Sequence, residues 1–245
     1  MYAHEQKITS KSHGDGLNVG NAGHKFLETF LKAIKDGKTD KEAEGLACNA
    51  AALMPGAAKA LSLCLPWARD VWPTLGWKIV AVEVEYRITI SETLVYPFKV
   101  DLIIEDMDGN LVLVDHKFLG DPYSPLVISL LPQLPKYALC LRQVGIDIKY
   151  GIYNMFRTRD TSKDLLTRVA DRFNDHRMKE AMKEQIENMK RIEQQNYKPV
   201  RTANKMNCTY CQFNNLCAAE ARGENTDLMR SAFFVPNTYG YTDSI

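Results

Sequence analysis

The chain has 245 residues, 45% of them hydrophobic and 25% charged, with a formal net charge of +1. That balance describes a folded protein with one substantial core and excludes a disordered or low-complexity chain. No apolar run reaches bilayer length, and near-neutral charge excludes a protein that coats DNA through many phosphate neutralisations, although not a nuclease with a local basic groove.

In chain order, Phe26, Leu27, Phe30, Leu31 and Ile34 recur at helical spacing and predict an amphipathic helix from about Gly20 that Asp36-Gly37 stops. His24 falls near its buried stripe, where a lone histidine is more often a core or boundary residue than a ligand. An alanine-rich helical insertion follows within residues 38–76. Val82 to Ile88 then alternates as a strand, with Glu83, Glu85 and Arg87 on one face and Val82, Val84, Tyr86 and Ile88 on the other.

Two apolar runs, Val100 to Ile104 and Leu111 to Val114, flank Asp108-Gly109, a strong turn signal. Asp115 and Lys117 share a strand face whatever the turn. Asp101 joins that face only if the loop is odd in length. A three-residue loop, Met107-Asp108-Gly109, with Gly109 left-handed, sets Asp101 opposite Asp115, and this is the predicted geometry. Two carboxylates so placed repel and raise one another's pKa unless a cation lies between them; oxygen ligands suit Mg²⁺ or Mn²⁺. A lysine beside them suits phosphodiester hydrolysis without a covalent intermediate. The competing reading is a surface hairpin with an exposed Asp115–Lys117 ion pair, worth under about 1 kcal/mol.

Gln133 and Tyr137 lie four apart on a helix that must begin within Pro132 to Pro135, because a proline deeper inside costs roughly 3 kcal/mol. A strand from Ile148 to Met155 follows, then a long charged helix from about Ser162 to Gln195, with Leu165, Leu166, Val169, Phe173, Met178, Met182, Ile186 and Met189 as its apolar positions. Lys136, Arg142, Arg157, Arg159 and Lys205 are candidates for a basic groove. Cys208, Cys211 and Cys217 have C-x₂-C-x₅-C spacing. Without a signal peptide the expected compartment is cytoplasmic, and clustered cysteines there usually hold metal. Zinc held by three cysteines and a histidine is one reading. Residues 222–245 are expected to form a docking tail or to be partly disordered.

Taken together, Gly20-x-x-x-His24-x-x-Leu27-Glu28, the Glu83 strand, Asp101, Asp115-His116-Lys117 and Gln133-x-x-x-Tyr137 resemble, in order, the motifs of the PD-(D/E)xK nuclease superfamily. Within it they look like the RecB-like branch, which includes the AddB nuclease domain and the CRISPR-associated RecB-like exonucleases. Val100 stands where the proline before the first aspartate is expected, and Asp115 where many members carry glutamate.

The resemblance implies an α/β fold of the restriction-endonuclease-like type. Its mixed β-sheet core is flanked by helices, with a helical N-terminal insertion and a C-terminal Cys-cluster segment. It implies one nuclease domain over residues 1–221, with the insertion at 38–76, the cluster segment at 205–221 and a tail at 222–245. Implied roles are metal binding by His24, Asp101, Asp115 and the backbone carbonyl of His116, catalysis by Lys117, and DNA positioning by Gln133 and Tyr137. Glu83 is a further candidate carboxylate for the catalytic set. The cysteine trio plus one distant cysteine implies a [4Fe-4S] cluster, for which Cys48 is the fourth ligand chosen, with Zn²⁺ as the alternative. The implied activity is a Mg²⁺- or Mn²⁺-dependent deoxyribonuclease, an exonuclease acting on single-stranded DNA ends. Implied partners are DNA and recombination, repair, replication or CRISPR-adaptation proteins, with no membrane. A catalytically inactive DNA-binding or scaffold protein on the same fold is the alternative.

Overall fold

The structure is a computed structural model and describes residues 8–10, 15–92, 94–159, 164–193 and 211–236. It comprises two compact units, residues 15–196 and the pairing of 1–14 with 197–245. In the larger unit, α1 (Asp15–Lys35), α2 (Asp40–Ala52) and α3 (Ala57–Pro66) precede a π turn at Trp67–Val71 and a 3-10 turn at Trp72–Thr74. Then come β2 (Lys78–Thr89), β3 (Val95–Glu105), β4 (Leu111–Leu119), α4 (Pro125–Leu130), α5 (Gln133–Gln143), β5 (Ile148–Arg157), β6 (Leu166–Asp171) and α6 (Asp175–Glu193). The expected mixed α/β core is present: a five-stranded sheet in the order β2-β3-β4-β5-β6, with β4 and β5 parallel and the other neighbours antiparallel. The parallel step needs a long crossover, which α4 and α5 supply.

Each sheet face is covered by helices. On one, α1, α2 and α3 pack Phe26, Phe30, Ala47, Leu63 and Trp67 against Leu102, Ile104, Val112, Val114 and Phe156. On the other, α5 and α6 pack Leu134, Ala138, Leu141, Met178 and Met182 against Ile103, Leu113, Tyr153 and Met155. A sheet buried on both sides reads as nearly continuous apolar runs, as β4 and β5 do. Charged residues within them therefore stand out.

The hairpin has the odd loop. Asp106 N–H donates to Asn110 O at 2.9 Å, enclosing Met107, Asp108 and Gly109, and Gly109 takes φ +77°. The Asp106 carboxylate accepts from the N–H groups of Asp108 and Asn110 at 3.0 and 2.8 Å, so the side chain itself braces the turn. Pro132 and Pro135 fall at the cap and first turn of α5, where a missing N–H is harmless.

Two expectations are corrected. The predicted helix from Ser162 is interrupted: Leu166–Asp171 is strand β6, paired antiparallel to β5 from Phe156↔Leu166 to Gly151↔Asp171. β5 is buried along most of its length and would otherwise leave backbone groups unpaired on its outer edge. The helix begins only after Asn174, whose Oδ1 accepts from Arg177 N–H at 2.9 Å as an N-cap. The second correction concerns β2. Val82 packs with the α1 side, whereas Val84, Tyr86 and Ile88 pack on the α5 side together with Ala81. The alternation inverts at Glu83, whose φ of +53° places it in the left-handed region.

In the smaller unit, β1 (Ile8–Ser10) pairs antiparallel with β7 (Phe234–Pro236), and α7 (Asn214–Ala221) and α8 (Asp227–Phe233) precede that strand. Phe213 and Phe234 stack at 5.5 Å over Leu216. Part of the expected tail is thus helix and strand; residues 237–245 lie outside the described residues.

Candidate active site

Three carboxylates meet in one row across β2, β3 and β4. Val82 pairs with Leu102 and Val84 with Val100, bracketing Glu83 against Asp101; Leu102 pairs with Val114, which puts Asp115 next to Asp101 on the other side. Helix α1 adds His24 from above the sheet. Its Nδ1 lies 3.7 Å from Asp101 Oδ2 and 3.9 Å from Glu83 Oε1. Ligand atoms of His24, Glu83 and Asp101 all fall within 4.8 Å of one another, the one such metal-type group among the described residues.

Asp115 is only 4% exposed and faces α5. Gln133 Nε2 donates to its Oδ1 at 2.8 Å, while Lys117 Nζ lies 2.9 Å from its Oδ2 and donates to Gln133 Oε1 at 2.8 Å. Asp115, Lys117 and Gln133 thus form a closed polar triangle. Tyr137, one turn along, stacks on Phe98 at 4.9 Å.

His116 divides its roles. Its backbone N–H donates to Asp101 Oδ2 at 2.8 Å, whereas its imidazole points to the opposite face and meets Asn154 Nδ2 at 3.1 Å through Nδ1. Burial drives that ring's pKa down to about 3, so it is a neutral structural group. Burial also lowers the His24 pKa, against the opposing pull of Glu83 and Asp115, which leaves a neutral imidazole with a lone pair at pH 7.

Burial pushes Asp101 up to about 6, with Glu83 adding to the rise and the His116 N–H opposing it. Asp115 is likewise pushed up to about 6 by burial and then by the Asp101 charge, against Lys117. Lys99 pairs with Glu83 at 2.5 Å, so the three carboxylates face two ammonium groups, Lys99 and Lys117. A compact oxygen-rich cage with surplus negative charge and one neutral imidazole fits Mg²⁺ or Mn²⁺. His24, Glu83 and Asp101 would hold the ion, with Asp115 beside them.

The raised carboxyl pKa values carry a stability prediction. In the unfolded chain these groups lose protons first, so metal-free folded protein loses stability as pH rises from about 4 to about 6. Asp101→Asn removes the desolvated charge and keeps an acceptor for His116 N–H. Without metal at pH 7 it should be more stable than wild type by about 1–2 kcal/mol. Urea melts of both proteins across this range should show the gap opening between pH 4 and 6; a constant gap would contradict the account.

Sequence reasoning named most of these residues but missed Lys99 and Asn154. Asn154 was detectable as the one amide in the buried run of β5; Lys99 was not, because its partner depends on the inversion at Glu83. Of the basic-groove candidates, Arg157 and Arg159 share the one carboxylate of Asp121, and Arg142 pairs with Asp147 and Asp175. Lys136 donates to Gln185 Oε1 at 3.2 Å. Lys205 and Cys208 lie outside the described residues. Cys211 is exposed and Cys217 packs against the small core of its unit. Cys48 is in α2 of the other unit, its thiol pKa raised by burial and Glu44. Among the described residues, no group of three metal-type ligands includes a cysteine.

The solved structure described as "Crystal structure of SSO0001" is similar to this chain, at 16% identity over 80% of this chain and 84% of that one, with a TM-score of 0.41. The search of curated proteins found no match. Among the described residues, no helix is long and apolar enough to cross a membrane. The profile of the PD-(D/E)XK nuclease superfamily matches residues 1–218, a span that contains every strand and helix of the site, and the chain belongs to that superfamily.

Proposed function

We propose that the protein is a metal-dependent deoxyribonuclease of the RecB-like branch, an exonuclease that takes single-stranded DNA ends. The observation that carries this reading is the row Glu83–Asp101–Asp115 with Lys117 held beside it. When bound, a divalent ion supplies polarisation of the scissile phosphate and a more acidic water. Lys117, fixed by Asp115 and Gln133, presents its ammonium where it hydrogen-bonds the attacking water and offsets charge on the phosphate. Asp115 holds that ammonium in place, and His24 and Asp101 present their lone pairs without rearrangement.

The branch assignment rests on the motif order from Gly20-x-x-x-His24 to Gln133-x-x-x-Tyr137. Preference for a single strand is supported by the half-buried rings of Tyr137, Tyr86 and Tyr96 stacked around Phe98, 4.9–5.7 Å apart. Aromatic rings accept bases without regard to sequence.

The test uses single- and double-stranded DNA labelled at the 5′ or 3′ end. Cleavage should stop in chelator, return with Mn²⁺ or Mg²⁺, and release label progressively from one end of single strands. Binding of DNA ends by metal-replete protein without turnover would overturn it and favour the inactive scaffold reading.

A further inference from the structure

Helix α1 carries Gly20 and Gly23 on the side that meets β4, and Phe118 lies against both. A Cβ at Gly20 would sit 3.9 Å from the Phe118 Cβ, an ordinary contact. A Cβ at Gly23 would sit 2.1, 2.3 and 2.7 Å from the Cζ, Cε1 and Cε2 atoms of the Phe118 ring, which no packing tolerates. Glycine inside a helix weakens it relative to alanine. At position 23 the missing side chain opens a notch that the ring fills.

Phe118 is held from its other side by Phe156, stacked at 4.8 Å with 8° between planes. Its edge meets the imidazole of His24 at 5.6 Å and 62°, and the His116 ring meets the same imidazole at 6.5 Å and 71°. The Nδ1 distances from His24 to Glu83 and Asp101, 3.9 and 3.7 Å, are too long for hydrogen bonds. Among the described residues no side chain or backbone group hydrogen-bonds its Nε2. A metal-ligating histidine is usually aimed by a hydrogen bond through its second nitrogen. Here aromatic packing does that work.

We propose that Phe118, seated in the notch at Gly23, is a positioning residue that aims the His24 imidazole at Glu83 and Asp101. The inference rests on the metal reading of the site. It predicts that ring and imidazole act on metal binding as one unit.

The test is Mn²⁺ affinity of the full chain, followed by electron paramagnetic resonance, in wild type, His24→Ala, Phe118→Leu and the double variant, with thermal melts alongside. Phe118→Leu keeps apolar volume and is expected to weaken Mn²⁺ about tenfold. In the His24→Ala background the same change should cost little, because there is no imidazole left to aim. Gly23→Ala, which keeps the ring but displaces it, should reproduce the loss. Unchanged Mn²⁺ affinity in Phe118→Leu, or an equal loss with and without His24, would overturn the inference. If wild type and His24→Ala bind Mn²⁺ alike, it is the metal reading itself that fails.

Discussion

Asp115→Ala should lower phosphodiester cleavage by about 10³-fold, roughly 4 kcal/mol of transition-state stabilisation, while the protein stays folded. The size follows from what Asp115 holds. Its Oδ1 accepts from Gln133 and its Oδ2 faces the Lys117 ammonium, so removing the carboxylate frees both partners and takes negative charge from beside Asp101. The fold should survive, because Lys117 still donates to Gln133 and a desolvated charge has been removed. Lys117→Met should lose a comparable 10²–10³-fold while Mn²⁺ affinity is little changed, which separates the ammonium's role from that of the cage. Gel-based cleavage at saturating Mn²⁺ measures both. Full activity of Asp101→Ala and Asp115→Ala alike would sink the mechanism.

The largest loss of stability is expected far from the chemistry, at Arg177. Its guanidinium pairs with Asp171 at 2.5 and 3.2 Å and donates to the carbonyls of Ile128 and Leu131 at 3.0 and 3.2 Å. Asp171 is 3% exposed, so Arg177→Ala strands a buried carboxylate and takes a donor from the Leu131 carbonyl. Breaking one side of such a pair costs about 3–5 kcal/mol. That corresponds to a fall in melting temperature of about 10 °C for a unit of this size. Leu131 precedes Gln133 by two residues, so the same variant should also loosen the Gln133–Asp115 contact and reduce cleavage before the protein unfolds. Arg177→Lys restores the charge but not the planar fork that bridges Asp171 and the neighbouring carbonyls, and should recover only part of the loss. A thermal melt within a degree or two of wild type would show that this pair contributes nothing.

The site divides into parts that local rules govern and parts they do not. The Asp-Gly turn and strand alternation are local, and they suffice to bring Asp101, Asp115 and Lys117 together. The periodicity of Phe26, Leu27, Phe30 and Leu31 is also local, and it delivers the helix that carries His24. Gln133 could be placed near the start of its helix because proline constrains where that helix begins. By contrast, Leu165, Leu166, Val169 and Phe173 suit a helix as well as a strand. What made Leu166–Asp171 a strand is the exposed edge of β5, a partner more than eight residues away in sequence. Arg157 and Arg159 read as part of a basic groove, but Asp121 lies close enough in space to pair with both.

By itself, then, the sequence determined the helix that carries His24, the start of α5, the hairpin register and the identity of the acidic and basic groups, because turn chemistry and side-chain period act over a few residues. Only the tertiary structure decided which of those groups form the cage. Glu83 enters it because one left-handed residue inverts the face of β2, and His24 enters it because α1 packs across β2 and β4 with Phe118 seated at Gly23. Both depend on close packing between segments distant in the chain, where steric fit rather than local preference selects the conformation.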